Sequence, residues 1–229
     1  IVVDHYGLDS RWEAQLLAGL SGTQAAPKLL VIDDLADRTH QADVLLDQNF
    51  FGQSTQQRYD DLVPQGCSQL LGPNYALLAP EYEFLHPIVP LRKELKRILI
   101  YFGGIDEFNL TCLCLEALSD FNFLDLAVDV VAGQQDTNYE NIQEIVSSRP
   151  NTTLHKSLPS LAGLIARADL SIGAGGSTTW ERACLGLPTL VIATAANQLS
   201  SSESLNKFGY IKLLTGRQSV TKSQIYDAV

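Results

Sequence analysis

The sequence predicts an α/β fold with two parallel sheets, each flanked by helices. Three observations predict it. Short aliphatic and β-branched runs recur along the chain, segments of helical length separate them, and acidic or glycine residues close most of the runs. Apolar strands alternating with helices are the mark of strand–helix–strand units, whose central strands are buried on both faces.

The first series begins at Ile1-Val2-Val3, a β-branched run closed by Asp4. A helix is expected from Asp9 to Leu20, with Asp9 or Ser10 as its cap and Glu13 in its first turn. Lys28 to Ile32 is the next strand, closed by Asp33-Asp34, and Ala42 to Asp47 the third. After a polar loop comes Leu71 to Leu78, and Pro87 and Pro90 then bracket a non-helical link. Such a link marks a domain boundary, placed here between residues 92 and 93.

The second series starts at Arg97. Ile98 to Phe102 is a strand ended by Gly103-Gly104, and Asn109 to Ser119 a helix. Leu126 to Ala132 is a strand closed by Gly133, Asn141 to Ser148 a helix, Thr152 to His155 a strand, and Leu161 to Ala168 a helix. The densest stretch follows, Ala168 to Gln198: strand, glycine turn, helix, strand and polar loop. Here Ser177 or Thr178 is expected to cap a helix carrying Trp180, Glu181 and Arg182, and Thr189 to Ala193 forms the last strand. A helix near Leu199 to Phe208 and another opening at Thr221 complete the pass. The whole reads as two Rossmann-like domains facing a cleft.

Composition narrows the function. With 229 residues, 45% of them hydrophobic, the chain can build one or two packed cores. A formal charge of -10 repels nucleic acids and anionic membrane surfaces, so neither is an expected partner. No apolar run reaches the roughly 18 residues of a membrane span. Cys67, Cys112, Cys114 and Cys184 lack zinc-site spacing and read as free thiols of a cytoplasmic protein. The four histidines are scattered, so no metal site is expected. Methionine is absent, the chain opens directly on a strand, and its last helix has barely begun. The expectation is a piece of a longer protein, its N-terminal domain incomplete.

In open parallel sheets, ligands bind beyond the carboxyl ends of the strands. Gly103-Gly104, His155, Gly173 to Ser177 and Ala195 to Gln198 all follow strands of the second series, so they should gather along one edge. The turn at Gly173, Gly175 and Gly176 opens onto a helix, where unpaired N–H groups favour an anion. It is expected to bend sharply and to approach the ligand without Cβ interference. Asp4, His5 and Tyr6 also follow a strand and read equally as sugar-side or structural residues. Asp33 and Asp34, as neighbours in extended chain, point to opposite faces and do not read as an acid/base pair. Asp106 reads as the cap of the next helix, and Trp180 as packing.

Several motifs in series carry a resemblance: VVDHYGLDSRWE at Val2 to Glu13, VIDDLADRTHQADVLLDQN at Val31 to Asn49, and LLGPNYALLAPEY at Leu70 to Tyr82. FGG with Asp106, ADLSIGAGGSTTWERACLGLP, and ANQ complete the set. With these, the chain resembles the glycosyltransferase-B superfamily. It resembles most the UDP-2,4-diacetamido-2,4,6-trideoxy-β-L-altropyranose hydrolases of pseudaminic acid biosynthesis.

The resemblance implies a metal-independent, cofactor-free hydrolase that cleaves the C1–O bond of a UDP-linked sugar with inversion. It implies that Glu181 binds the ribose hydroxyls, and that Gly103, Gly104, Gly175, Gly176 and Ser177 face the diphosphate. Backbone at Leu154-His155-Lys156 would read the uracil edge. Asn197 and Gln198 would face the sugar or its linking phosphate, and Asp4 and Tyr6 the sugar. The family's catalytic histidine lies in an N-terminal glycine-rich loop that no segment of this chain matches. The chain by itself is therefore expected to bind UDP without hydrolysing the sugar. It departs from the family at Ile105, which carries no hydroxyl where a GGSD-like turn would. It departs again at Ala195-Ala196, where some relatives carry an acidic residue. Two other readings share these motifs: a glycosyltransferase with the same donor site, and a non-catalytic UDP-binding module.

Overall fold

The computed structural model describes residues 1–22, 27–156, 158–216 and 219–229, with backbone alone at 215 and 216. These form two compact units, Ile1–Leu77 and Leu78–Val229.

The first unit is a four-stranded parallel sheet in the order β1 (Val2–Asp4), β2 (Leu30–Ile32), β3 (Val44–Asp47), β4 (Ser68–Leu71). Helix α1 (Ser10–Leu20) connects the first strand toward the second. Its cap is the expected one: the Asp9 carboxylate accepts from the backbone N–H groups of Arg11 (3.1 Å) and Trp12 (3.3 Å). Val3, Leu29, Val31 and Ala42 form one small core, and Leu45, Tyr59 and Leu71 another. In this unit the sequence does not announce strand β4, because Ser68-Gln69-Leu70-Leu71 is half polar, and in the second unit it does not announce the strand at Lys212–Gly216, since Thr189 to Ala193 was expected to be the last.

The second unit holds a six-stranded parallel sheet in the order β10-β9-β8-β5-β6-β7. These strands are β5 (Arg97–Tyr101), β6 (Ala127–Ala132), β7 (Thr152–Lys156), β8 (Leu170–Gly173), β9 (Thr189–Ala193) and β10 (Lys212–Gly216). The helices are α2 (Pro80–Leu85), α3 (Leu110–Leu118), α4 (Tyr139–Ser148), α5 (Ala162–Arg167), α6 (Thr178–Cys184), α7 (Ala196–Lys207) and α8 (Lys222–Ala228).

Alternate residues of the strands enter different layers. Ile98, Ile100, Val128, Val130, Ile172 and Ile192 pack with α3 and α8 in one core. Leu99 and Val131 pack with α5 and with Tyr82 of α2 in another. Burial on both faces explains the nearly continuous apolar runs, and each fully buried aliphatic side chain contributes about 1.5–3 kcal/mol.

The boundary falls at 77/78, not at 92/93 as the proline link suggests. The segment between belongs to the second unit because it is bonded into it. Tyr82 is buried, and the Arg92 guanidinium donates to the carbonyl oxygens of Ala168 (2.7 Å), Leu185 (2.6 Å) and Ile165 (2.9 Å).

Strand order also fixes where a ligand can enter. From β5 the chain moves outward through β6 and β7, then returns to place β8 on the other side of β5. The connections leaving β5 and β8 therefore diverge. A crevice opens at such a switch point, beyond the carboxyl ends of the strands.

Candidate functional site

A pocket of about 320 Å³ occupies that switch point, lined by Tyr101, Gly103, Gly104, Val131, Gly133, Leu158, Pro159, Ser160, Leu161, Thr178 and Glu181. It brings together three sequence-derived candidates, Gly103, Gly104 and Glu181. Residues that were not among the candidates complete it: Gly133 closes β6, and Leu158 to Leu161 lead into α5. Gly133 was visible as a strand-ending glycine, whereas Leu158–Leu161 has no distinctive composition.

Glu181 lies one turn into α6, half-buried, and its Oε2 accepts a hydrogen bond from the Tyr82 hydroxyl at 2.9 Å. The Tyr101 phenol is pushed up by burial and by the Glu181 carboxylate. Beside Glu181, the buried Arg182 side chain turns under the glycine turn, where its Nη2 donates to the Ala174 carbonyl (2.6 Å) and to Thr179 Oγ1 (3.1 Å). Burial pushes Arg182 down to about 10, so it stays cationic at neutral pH.

The glycines divide into two kinds. A Cβ on Gly173 would stand 2.4 Å from the Tyr101 carbonyl oxygen and 2.5 Å from Arg182 Nη1. One on Gly175 would stand 2.5 Å from Ser202 Oγ. These two glycines are required by the protein's own packing, and the chain bends at Gly175 and Gly176 as expected. None of Gly173, Gly175 and Gly176 has a positive φ. Gly104, by contrast, has no atom within 4 Å of such a Cβ, and Gly176 has only Gln198 Nε2 at 3.6 Å. Gly103 adopts φ +106°, a conformation that favours glycine. Ser177 stands at the cap position of α6 and is exposed, but its side chain makes no capping hydrogen bond.

Residues 196–198 are helical rather than a loop, since α7 begins at Ala196 after the extended cap residue Ala195. Asn197 lies in its first turn. Gln198 Oε1 accepts from the N–H (2.9 Å) and Oγ1 (3.0 Å) of Thr194, which leaves its amide nitrogen beside Gly176. The Gly175-Gly176 and Asn197-Gln198 segments are thus neighbours, as their shared position after strands suggested.

The loop after β5 is locked to the loop after β6. Asp106 N–H donates to Asp136 Oδ2 (2.8 Å), and Asn138 Nδ2 to the Asp106 carbonyl (3.2 Å). Asp106 Oδ2 accepts from the Thr111 N–H at 2.7 Å, the helix-capping role expected of it. Ile105 is exposed beside this lock.

His155 is not where the sequence reading puts it. Leu154 to Lys156 is strand, paired with Val130 to Ala132, and His155 does not line the pocket. Its Nε2 lies 2.8 Å from Oδ1 of the buried Asp129, which also accepts from Arg97 Nη1 (3.0 Å) and Arg167 Nη2 (2.6 Å). Burial pushes the Asp129 carboxyl up, but hydrogen bonds from His155, Arg97 and Arg167 outweigh it and hold the carboxyl below its ordinary value. His155 is therefore a brace within the sheet.

In the first unit, Asp4 ends β1 and is exposed, and the Tyr6 hydroxyl donates to Asp34 Oδ2 (3.2 Å). Asp33 and Asp34 part as expected. Asp33 is buried, ion-paired to Arg38 (2.8 Å) and hydrogen-bonded by the Tyr59 hydroxyl (2.9 Å). Glu13 is also buried, with its Oε1 2.8 Å from His40 Nδ1. Among the described residues, no three His, Cys, Asp or Glu side chains converge to hold a metal ion, and no helix is long and apolar enough to cross a membrane.

Comparison with known proteins agrees with the two-domain reading. No profile of a known family matches the chain. The chain is 25% identical over 210 residues to the UDP-2,4-diacetamido-2,4,6-trideoxy-beta-L-altropyranose hydrolase of Campylobacter jejuni, a match covering 92% of this chain and 72% of that protein. It is 27% identical over 134 residues to the spore coat polysaccharide biosynthesis protein SpsG of Bacillus subtilis, covering 58% of this chain and 40% of that one. The crystal structure of Arabidopsis thaliana UGT89C1 complexed with UDP-L-rhamnose superposes with a TM-score of 0.64 at 11% identity, over 95% of this chain and 59% of that one. The chain thus spans less than two thirds of SpsG and of UGT89C1. The fold is that of the glycosyltransferase-B type, as the motifs implied.

Proposed function

We propose that this chain, a relative of the UDP-2,4-diacetamido-2,4,6-trideoxy-β-L-altropyranose hydrolase, holds the UDP end of a UDP-linked sugar in its second unit. We propose further that the protein cleaves the sugar's anomeric C1–O bond with water. The observation that carries the reading is the pocket at the β5/β8 switch point, which joins a carboxylate to backbone that can be approached closely.

Glu181 supplies the carboxylate. It can accept from both vicinal ribose hydroxyls. Gly103, Gly104, Gly176 and Ser177 offer backbone N–H groups to the diphosphate, whereas the Thr179 and Trp180 N–H groups of α6 already donate to the Gly176 and Ser177 carbonyl oxygens (3.0 Å each). As the C1–O bond breaks, charge grows on the leaving phosphate, and fixed N–H dipoles with the Arg182 cation behind them meet it without a metal. Leu158 to Leu161 form the wall for the base, the role that His155 does not fill. Gln198, beside Gly176, and its neighbour Asn197 are the candidates for the sugar or its linking phosphate. Asp4 and Tyr6, at the carboxyl edge of the first sheet, are the first unit's candidates for the sugar.

Calorimetry of the chain with UDP tests the site. Binding is expected, and Glu181→Ala should weaken it about tenfold or more, the worth of hydrogen bonds to a charged group. Unchanged affinity would remove the ribose assignment. NMR of products from the UDP-linked diacetamido sugar, incubated with the full-length protein, tests the reaction. Free sugar and UDP without any acceptor support it, and dependence on an added acceptor refutes it.

A further inference from the structure

The motif LLGPNYALLAPEY touches the walls of the nucleotide pocket twice at its end. Pro80 starts α2, the proline-first pattern that suits a helix N-terminus. The next two residues each reach a different wall. The Glu81 carboxylate accepts from Ser160 Oγ, and Ser160 Oγ in turn accepts from the Ala162 N–H at 3.0 Å. Tyr82, 2% exposed, donates to Glu181 Oε2. Its ring lies among Leu99, Val131, Leu161 and Leu185, which fix its direction.

We propose that Tyr82 is a positioning residue of the nucleotide pocket, which orients Glu181 and thereby sets preference for a ribonucleoside diphosphate over its 2′-deoxy counterpart. This inference rests on the ribose role of Glu181 proposed above. A glutamate on a helix surface samples several rotamers, and a second hydrogen bond selects one. Tyr82 occupies one carboxylate oxygen, and among the described residues no donor engages Oε1. Oε1 is thus left for the ligand, held by a donor in the core. Burial and the bond to Glu181 push the Tyr82 phenol far up, so it remains a donor throughout the working pH range. A diol accepted by a fixed carboxylate is worth more than one accepted by a mobile one, because less conformational freedom is lost on binding. A ligand lacking the 2′-hydroxyl cannot collect that difference in full.

The test is calorimetry of the full chain and its Tyr82→Phe variant with UDP and with 2′-deoxy-UDP. Phenylalanine keeps the ring packing, and a melting temperature within about 3 °C of the parent would report an intact fold. The expected result is a loss of about tenfold for UDP and about threefold or less for 2′-deoxy-UDP, so that the preference shrinks. In the double variant with Glu181→Ala, the Tyr82 change should cost nothing further, since residues acting through one another are non-additive. Equal losses for both nucleotides, or full additivity in the double variant, would overturn the positioning role while leaving the UDP site standing. Absence of UDP binding by the parent chain would instead overturn the underlying reading, and the inference with it.

Discussion

The division of the glycines into packing and open positions yields a sharp prediction. Consider Gly173→Ala and Gly104→Ala, the same chemical change at the two central strands' carboxyl ends. At Gly173 the new methyl would lie 2.4 Å from a backbone oxygen of the paired strand. Ordinary contact needs roughly 1 Å more, and a main-chain carbonyl held in a ladder cannot rotate away. Overpacking of this kind costs about 1–3 kcal/mol or more, and loss of glycine's unfolded-state entropy returns only about 0.4–1 kcal/mol. The net expectation is a loss of about 2 kcal/mol, seen as a fall of roughly 4–8 °C in the melting temperature. At Gly104 there is nothing to strike, and its φ is ordinary. Stability should hold or rise by up to about 1 kcal/mol, while UDP affinity falls by about tenfold or more because the methyl stands where phosphate would approach. Thermal unfolding and calorimetry on both variants read this directly. A Gly173→Ala protein as stable as the parent would refute the packing assignment. A Gly104→Ala protein with unchanged UDP affinity would refute the approach assignment.

Two further outcomes follow from buried polar groups. Asp129→Asn should flatten the acid side of the stability curve. A carboxyl whose folded pKa is held down contributes stability that is fully present above its ordinary value, near 3.9, and is lost as pH falls through the lower folded value. If the parent and variant lose stability in parallel from about pH 5 to pH 2, the pairing with His155, Arg97 and Arg167 is not contributing. In the first unit, Tyr59→Phe removes the hydroxyl shared by Asp33 and, at 3.3 Å, Asp47, and should cost about 1.5–3 kcal/mol in amide-exchange protection of Val44–Asp47. Protection unchanged within about 0.5 kcal/mol would show that the carboxylates are satisfied without it.

The central strands were legible because they are buried on both faces, and a run such as Ile98-Leu99-Ile100 needs no partner to be recognised. What escaped was structure whose sequence signal is mixed. Ser68–Leu71 pairs with Val44–Asp47, an interaction its own residues do not advertise. Pro80–Leu85 was hidden among prolines that read as a linker, although proline at a first helical position starts a helix as readily as it ends one. At the site, the open glycines were visible by their position after strands, and Glu181 through the family resemblance. His155 misled, because its position in a run of strand residues does not reveal that a buried aspartate on the neighbouring strand, Asp129, will claim the ring. Tyr82 could not be placed from sequence, as its partner lies 99 residues further on.

That separation has a physical consequence for the glycine turn itself. A turn followed by a helix offers N–H groups, but it says nothing about which anion or which sugar is attached. Gly173 and Gly175 are spent on packing, so the turn's closeness to β5 and α7 comes from protein–protein contact and leaves Gly176 as its open position. Selectivity must therefore come from elements that meet the turn from outside: Gly103-Gly104 from β5, Leu158–Leu161 ahead of α5, and Tyr82 through Glu181. Each is anchored by a separate contact, the Asp106–Asp136 lock, the Ser160–Glu81 bond and the Tyr82 hydroxyl. Changes at those anchors should alter which nucleotide is preferred, whereas changes at Gly173 should alter how stable the second unit is.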